Sequence, residues 1–279
     1  MIRIIVDSSS DYTMEEIKEK DLTLVSLTVN IDGTSYIEGE NLGRTEFYER
    51  LKTCQEFPKT SQPSPESFLN IFNEAKEAGD DVICILLSSA LSGTCQCAHL
   101  AKSMAEYDNI HIIDSLTATA GIRVIAEYAL KLVAEGLSAE AIVEKVEAMK
   151  SRVRIFAALD TLEFLYKGGR LSKASATIGT LARLKPIISV NEEGKIDVVG
   201  KAIGRQKAVS GILSNLEKYE PDTDFSLVTI YTYDADNCEK LEDKLTKMNI
   251  TNDVRADIGA IIGAHVGPGA YGVAYVSKN

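Results

Sequence analysis

At 279 residues the chain is long enough for two α/β domains of ordinary size or one large one, and its 45% hydrophobic and 25% charged content excludes a disordered chain. A formal net charge of −11 and a pI near 4.9 repel a phosphate backbone, and no Lys/Arg cluster with interleaved aromatics reverses this locally, so nucleic acid is not an expected partner. Five cysteines, odd in number and without a C-x-x-C pair, suggest reduced thiols in a cytoplasm; MIRIIVDSSSD lacks the regions of a signal peptide, and no apolar run reaches the roughly 18 residues of a membrane span.

The first half alternates strands and helices. IRIIVD (2–7) is a short apolar strand, Thr13 and Glu16 form a capping box for a helix over TMEEIKEK, and LTLVSLTVNIDG (22–33) reads as a second strand ending in a turn. TEFYERLKTC (45–54) is a helix, and SPESFLNIFNEAKEAGD (64–80) a better one, with Ser64 as N-cap, Pro65 in the first turn and Gly79 as the stop. DVICILL (81–87) and NIHIID (109–114) are continuous apolar runs, the pattern of strands covered on both faces. Between them a helix starts around Ser92, and LTATAGIRVIAEYALKLVAEG (116–136) and SAEAIVEKVEAMKS (138–151) are two more, separated at Gly136. This βαβα alternation predicts a mostly parallel sheet with helices on both faces.

After about Ser151 the pattern changes. RIFAALD (154–160) is a strand, LEFLYKGGRLS (162–172) is short and contains a turn, and IISVNEEGKIDVVGKAI (187–203) is an antiparallel hairpin around Asn-Glu-Glu-Gly. A helix (205–220), a strand (225–234), a helix (237–248) and a last strand (271–277) follow. The expectation is an α/β protein of two domains, 1–150 and 151–279, the second mixed, with a ligand cleft between them.

Several motifs fail. GPGAYG (267–272) matches G-x-G-x-x-G but has no following helix and no acidic residue some twenty positions on. No G-x-S-x-G elbow and no G-x-x-x-x-G-K-[ST] loop is present, so the chain is expected to hold no nucleotide of its own. His99, His111 and His265 are not at metal-ligand spacing, and no metal or cofactor is expected.

The stretch SSALSGTC (88–95) is more informative. A strand ending at Leu87, followed by a turn and a helix, sets unpaired N–H groups and the positive end of a helix dipole at the carboxyl edge of a parallel sheet. Open α/β folds bind ligands there, and a small anion suits it. Ser92 is then either a helix cap or a donor to that anion, and spacing leaves both open. PKTSQPSP (58–65) adds Thr60, Ser61 and Ser64 before another helix, and DSLTATAG (114–121) adds Asp114, Ser115, Thr117 and Thr119. Three hydroxyl-rich junctions in one half of the chain read as a lined anion pocket.

DSSSD, KTSQPSP, SSALSGTCQCA, IIDS, LEFLYKGGRLS, KPII, GRQKA and IGAHVGPGAYG stand in this order along essentially the whole chain. In this it resembles the DegV family of bacterial fatty-acid-binding proteins. The resemblance implies that the two domains enclose one long-chain fatty acid. It also implies that the carboxyl group is presented to a separate ATP-dependent fatty acid kinase subunit, which forms an acyl phosphate for phospholipid synthesis. Such a protein is a cytoplasmic carrier with no transmembrane segment, in transient contact with a membrane at most.

Residue by residue, the resemblance implies that Thr60 and Ser92 donate to the carboxylate, with the Gly93 N–H and His265 beside it, and that Arg205 of GRQKA, with His265, supports phosphoryl transfer. Neutral donors hold a carboxylate without the bidentate lock of an arginine, leaving an oxygen free to react. KGGR (167–170) is either a solvated glycine turn or places Arg170 at a domain interface or kinase-docking face. The alternatives are a carrier of another amphiphile without a kinase, or a serine acyl-transfer enzyme using Ser92. The latter needs Asp114 and His265 to converge on Ser92 through the fold.

Overall fold

The computed structural model describes residues 1–171 and 184–278; Ser172, the last residue of LEFLYKGGRLS, lies outside them. The chain begins with β1 (Ile2–Asp7), a single 3-10 turn at Ser8–Ser10, and α1 (Met14–Glu19). The capping box ahead of α1 is formed: Glu16 N–H donates to Thr13 Oγ1 at 3.2 Å and Thr13 N–H to Glu16 Oε2 at 2.9 Å. Next come β2 (Leu22–Val25), β3 (Thr28–Ile31), β4 (Thr34–Ile37), α2 (Arg44–Thr53) and β5 (Lys59–Ser61). The stretch expected as one strand over 22–33 is therefore two, and they belong to different sheets. The chain turns a corner at Ser26–Leu27, where the Leu27 N–H leaves the ladder and donates to Ser8 Oγ at 2.9 Å. Apolar residues continue through the corner, so no local signal marks it.

α3 (Pro65–Ala78) carries Ser64 as its N-cap, bonded to the Ser67 N–H, and Gly79 as its C-cap. β6 (Asp81–Leu86), α4 (Thr94–Ala105), β7 (Ile110–Asp114), α5 (Ala120–Ala134) and α6 (Ala139–Lys150) follow. α4 starts two residues later than Ser92, and its N-cap is Gly93. Then come β8 (Val153–Ala158), α7 (Glu163–Lys167), β9 (Leu184–Val190), β10 (Ile196–Ile203), α8 (Arg205–Lys218), β11 (Val228–Tyr231), α9 (Asp236–Lys247), β12 (Val254–Asp257), α10 (Ala260–Val266) and β13 (Tyr271–Val276). β4, β5, β12 and α10 have no counterpart among the expected elements. Each is short, three or four residues for the strands and seven for α10, so its periodicity is read over too few positions.

Three sheets result among the described residues. β2-β1-β6-β7 is parallel throughout, β10-β9-β8-β13-β11-β12 is mixed, and β4-β3-β5 is a small antiparallel sheet whose strands come between β2 and β6 in sequence. The expected α/β class holds, with a parallel sheet first and a mixed one after. The parallel sheet is covered on both faces: Ile5, Val82, Cys84 and Leu86 pack with α3 and α4, while Ile4, Val6, Ile83 and Ile85 face the main core. α5 is the shared layer, touching β1 and β6 on one side and β8, β11 and β13 on the other. A helix sheathed on both sides must be apolar nearly all round, and the run from Ala120 to Ala126 is wholly buried. Its Arg123, 2% exposed, is held by Glu16 and lies 4.4 Å over the Tyr12 ring.

Candidate functional site

A cavity of about 350 Å³ opens where the parallel-sheet loops, the small sheet, α10 and the β8–β9 face meet. That is within the range of pockets for small ligands. Most of its wall is aliphatic, including Ile155, Ala157, Ile188 and Ile230, and its polar residues gather mainly at one end around Thr60, Gln62, Ser92, Gly93, Arg170 and His265. A mostly aliphatic cavity with one polar cluster fits an amphiphile with a small head group.

Thr60 sits on β5, paired with Val29 in the small sheet. Its Oγ1 lies 2.8 Å from Nε2 of His265 near the end of α10. Burial, with the Arg170 guanidinium as second cause, pushes His265 down to about 4, so the ring is neutral at pH 7. Its Nδ1 is buried against Gly168 without a hydrogen-bond partner among the described residues. An acceptor tolerates that better than an N–H does, so we assign the proton to Nε2. Nε2–H then donates to Thr60, and the Thr60 hydroxyl hydrogen is free to donate to a ligand.

The KGGR turn serves this contact. A Cβ on Gly168 would overlap Nδ1 and stand 2.9 Å from Cε1 of the His265 ring, so only glycine lets α7 end so close to it. Arg170 lines the cavity while donating from Nε to the Leu91 carbonyl at 3.1 Å and from Nη1 to the Gly168 carbonyl at 2.6 Å. It ties the KGGR turn to the loop before α4, a position that the solvated-turn reading does not describe.

On the opposite side, Ser92 Oγ is 2.9 Å from Thr94 Oγ1, and Ser92 does not cap α4. No side chain caps that 12-residue helix, and its N-cap Gly93 lines the cavity. The N–H groups of its first turn and its positive dipole end are thus turned toward the polar end of the slot. Gln62, absent from the expected site, also lines it: its amide lies against Gly93 with Oε1 nearest, and Nε2 donates to Cys97 Sγ at 3.0 Å. Only its place inside KTSQPSP hinted at this.

The DSSSD segment works as scaffold. Asp7 accepts the Leu87 N–H at 2.7 Å and the Ser9 N–H at 2.9 Å, which fixes the loop after β6 against β1. Asp11 accepts the Gly259 N–H at 2.8 Å and the Thr119 hydroxyl at 2.5 Å. Glu38 accepts the Ala260 N–H at 2.6 Å and Arg44 Nε at 2.9 Å, and Arg44 also donates to the Asp257 carbonyl at 2.6 Å. Two carboxylates thereby anchor the start of α10, the helix that carries His265. Burial raises Asp11 to about 7 and Asp257 to about 6, against the pull of Arg44.

The expectation of three hydroxyl-rich junctions in one pocket is corrected. Asp114 accepts the Ser89 and Leu116 N–H groups and Ser115 Oγ bonds the Thr117 carbonyl, so of the third junction's hydroxyls only Thr119 reaches the cavity. Ser64 caps α3 and does not line it. Loop polar groups near chain turns satisfy their own backbone first. Asp114 is therefore not available to orient His265 toward Ser92, which is what a serine nucleophile would need. Arg205, at the start of α8, is 52% exposed and 3.7 Å from Asp160; it does not line the cavity, although Tyr271, which does, donates its hydroxyl to the Arg205 carbonyl at 3.1 Å. Among the described residues no helix is long and apolar enough to cross a membrane, and no group of three or more His, Cys, Asp or Glu is placed to hold a metal ion.

A family model described as "Uncharacterised protein, DegV family" matches residues 1–278. A DegV domain-containing protein of Caldanaerobacter subterraneus subsp. tengcongensis is 36% identical over 279 residues, 99% of each chain. Among solved structures, a DegV family protein from Thermus thermophilus, described for its fatty acid binding, is 31% identical with a TM-score of 0.89 over 99% of each chain. A stearic-acid-binding protein from Eubacterium ventriosum is 28% identical, with a TM-score of 0.91 over 100% of this chain and 99% of its own.

Proposed function

This chain belongs to the DegV family, and from that premise we propose that it binds one long-chain fatty acid in the cavity and presents the carboxyl group to a separate ATP-dependent kinase subunit. The observation that carries the binding step is the uncapped α4 N-terminus, opening with neutral Thr60 and Ser92 hydroxyls onto a mostly aliphatic cavity. Solved relatives described as fatty-acid binding support the same ligand class. The chain then acts as a cytoplasmic carrier of two lobes, 1–150 and 151–279, with the cavity on their seam.

In this reading the tail lies along Ile155, Ala157, Ile188 and Ile230, and burial at about 0.8 kcal/mol per methylene supplies roughly ten kcal/mol before ordering costs. The carboxylate accepts from Thr60, Ser92 and the Gly93 N–H. Neutral His265 holds Thr60 in donating orientation rather than adding a positive charge. Because none of these donors is a cation in a bidentate clamp, an oxygen keeps its lone pairs for attack on a phosphoryl group. Arg205, half exposed and loosely paired, is the cation that the incoming nucleotide would meet.

Mass spectrometry of organic extracts from the purified protein, beside native mass spectrometry of the intact chain, tests this. Wild type is expected to hold one fatty acid per chain, and the Thr60→Ala/Ser92→Ala double variant to lose it. Full retention by the double variant refutes the head-group site, and an empty protein that takes up no added fatty acid refutes the carrier reading. With ATP but no kinase subunit, the protein forms no acyl phosphate.

A further inference from the structure

Gln62 lies against Gly93, the N-cap of α4, at the polar end of the cavity. Its side-chain amide covers Gly93 closely: a Cβ there would overlap Oε1 and lie 2.9 Å from Cδ and 3.1 Å from Nε2. Both residues line the polar end of the cavity. One N–H of Nε2 goes to Cys97 Sγ at 3.0 Å, on the first turns of α4. The other has no acceptor among the described residues. The contact to sulfur is a weak one, so the amide is held in place without being locked.

We propose that Gln62 selects an ionised head group: pinned by Cys97, its amide gives its second N–H to the carboxylate and closes over it at Gly93. The proposal rests on the fatty-acid reading and adds the discrimination step. Thr60, held as a donor by His265, gives its hydrogen to an alcohol oxygen as well as to a carboxylate, and the Ser92 hydroxyl can donate or accept, so these two receive either head group. An amide nitrogen only donates. A carboxylate, with two oxygens and no proton, uses one donor more than an alcohol, and a donor to an ion is the stronger kind.

The close seat on Gly93 gives the same element a second consequence. A side chain at position 93 would displace the Gln62 amide, so what the glycine gives is room for that amide and not relief of backbone strain; its φ of −78° suits other residues too.

Titration calorimetry with a saturated long-chain fatty acid and the alcohol of equal length, on protein first stripped of lipid, tests the selection. For Gln62→Ala the acid is expected to weaken about tenfold, while the alcohol stays within twofold of wild type. For Gln62→Glu the acid weakens further, and the loss shrinks as the pH is lowered toward the carboxylate range, because a second carboxylate is set beside the ligand's own. Gln62 is exposed, so neither variant threatens folding. Equal weakening of acid and alcohol would reduce Gln62 to a packing wedge and overturn the proposal, as would no change for either ligand. If wild type binds neither, the fatty-acid reading itself falls with it; if wild type binds the acid and the variants match it, only the role of Gln62 falls.

Discussion

Replacing Gly168 by alanine separates backbone expectation from site geometry. Gly168 has φ −73° and ψ −9°, ordinary right-handed values at the end of α7. On backbone grounds alone alanine should stabilise the protein by roughly 0.4–1 kcal/mol, by narrowing the unfolded ensemble. The packing argues the other way. The new methyl would lie 2.9 Å from Cε1 of His265 and 3.0 Å from the Phe164 carbonyl oxygen, and closer still to Nδ1. An ordinary carbon contact is about 3.5 Å or more. The ring has to retreat, which stretches the 2.8 Å contact to Thr60. Overpacking costs about 1–3 kcal/mol and the lost hydrogen bond about 0.5–1.5 kcal/mol. The net is a destabilisation of about 2 kcal/mol, or roughly 4–8 °C in Tm for a chain of this size.

Thermal unfolding reads the first effect and a fatty-acid titration the second, where weaker binding is expected because Thr60 loses its orienting partner. Histidine NMR adds an independent signature: a ring released from burial titrates upward from about 4 toward its ordinary value of 6.5. The double variant Gly168→Ala/His265→Ala should cost little more than His265→Ala alone, since the two closest contacts are with the ring and only the Phe164 carbonyl contact remains. A Gly168→Ala protein as stable as wild type, with unchanged affinity and an unchanged histidine titration, would refute the packing argument.

The carboxylates beneath α10 set a pH dependence. Asp11 holds its proton up to about 7 in the fold against 3.8 when exposed, so the unfolded chain binds fewer protons in that window and stability falls as pH rises from about 4 to 7. Asp11→Asn is expected to flatten the fall in urea midpoint between pH 6 and 7, where Asp257 at about 6 contributes less; parallel profiles would count against it. Ser64→Ala should cost about 1 kcal/mol through loss of the α3 cap while leaving lipid uptake intact, and reduced uptake would return Ser64 to the ligand site. Arg205→Ala should change stability by less than about 1 kcal/mol, since its ion pair is half exposed, and leave fatty-acid affinity unchanged. Acyl phosphate formation with the kinase subunit should be lost, and lost binding instead would move Arg205 into the head-group site.

Much of this protein was legible in the order of its residues. The strands covered on both faces, the Thr13–Glu16 box, the Ser64 cap and the change from parallel to mixed sheet all rest on neighbours within a few positions, where periodicity and capping chemistry act. The motif order along the whole chain pointed to the family that the comparisons then established. The junction at SSALSGTC reads as a strand end followed by a helix start, and that is what the fold has there, though the helix begins at Thr94 and Ser92 is left free of capping.

What the tertiary structure decided is which of the many hydroxyls and charges share one space. Thr60 and His265 are 205 positions apart and meet only because Asp11 and Glu38, from β1's loop and the end of β4, grip the first turn of α10. Ser64 and Ser115 have the same chemistry as Thr60 and Ser92, yet they bond backbone near themselves. Gln62 and Gly168 carry no chemical signal at all, and their importance comes from what lies against them. Local hydrogen bonding and hydrophobic period are written into short stretches; the closure of distant segments around one cavity depends on volumes and directions that no short stretch contains.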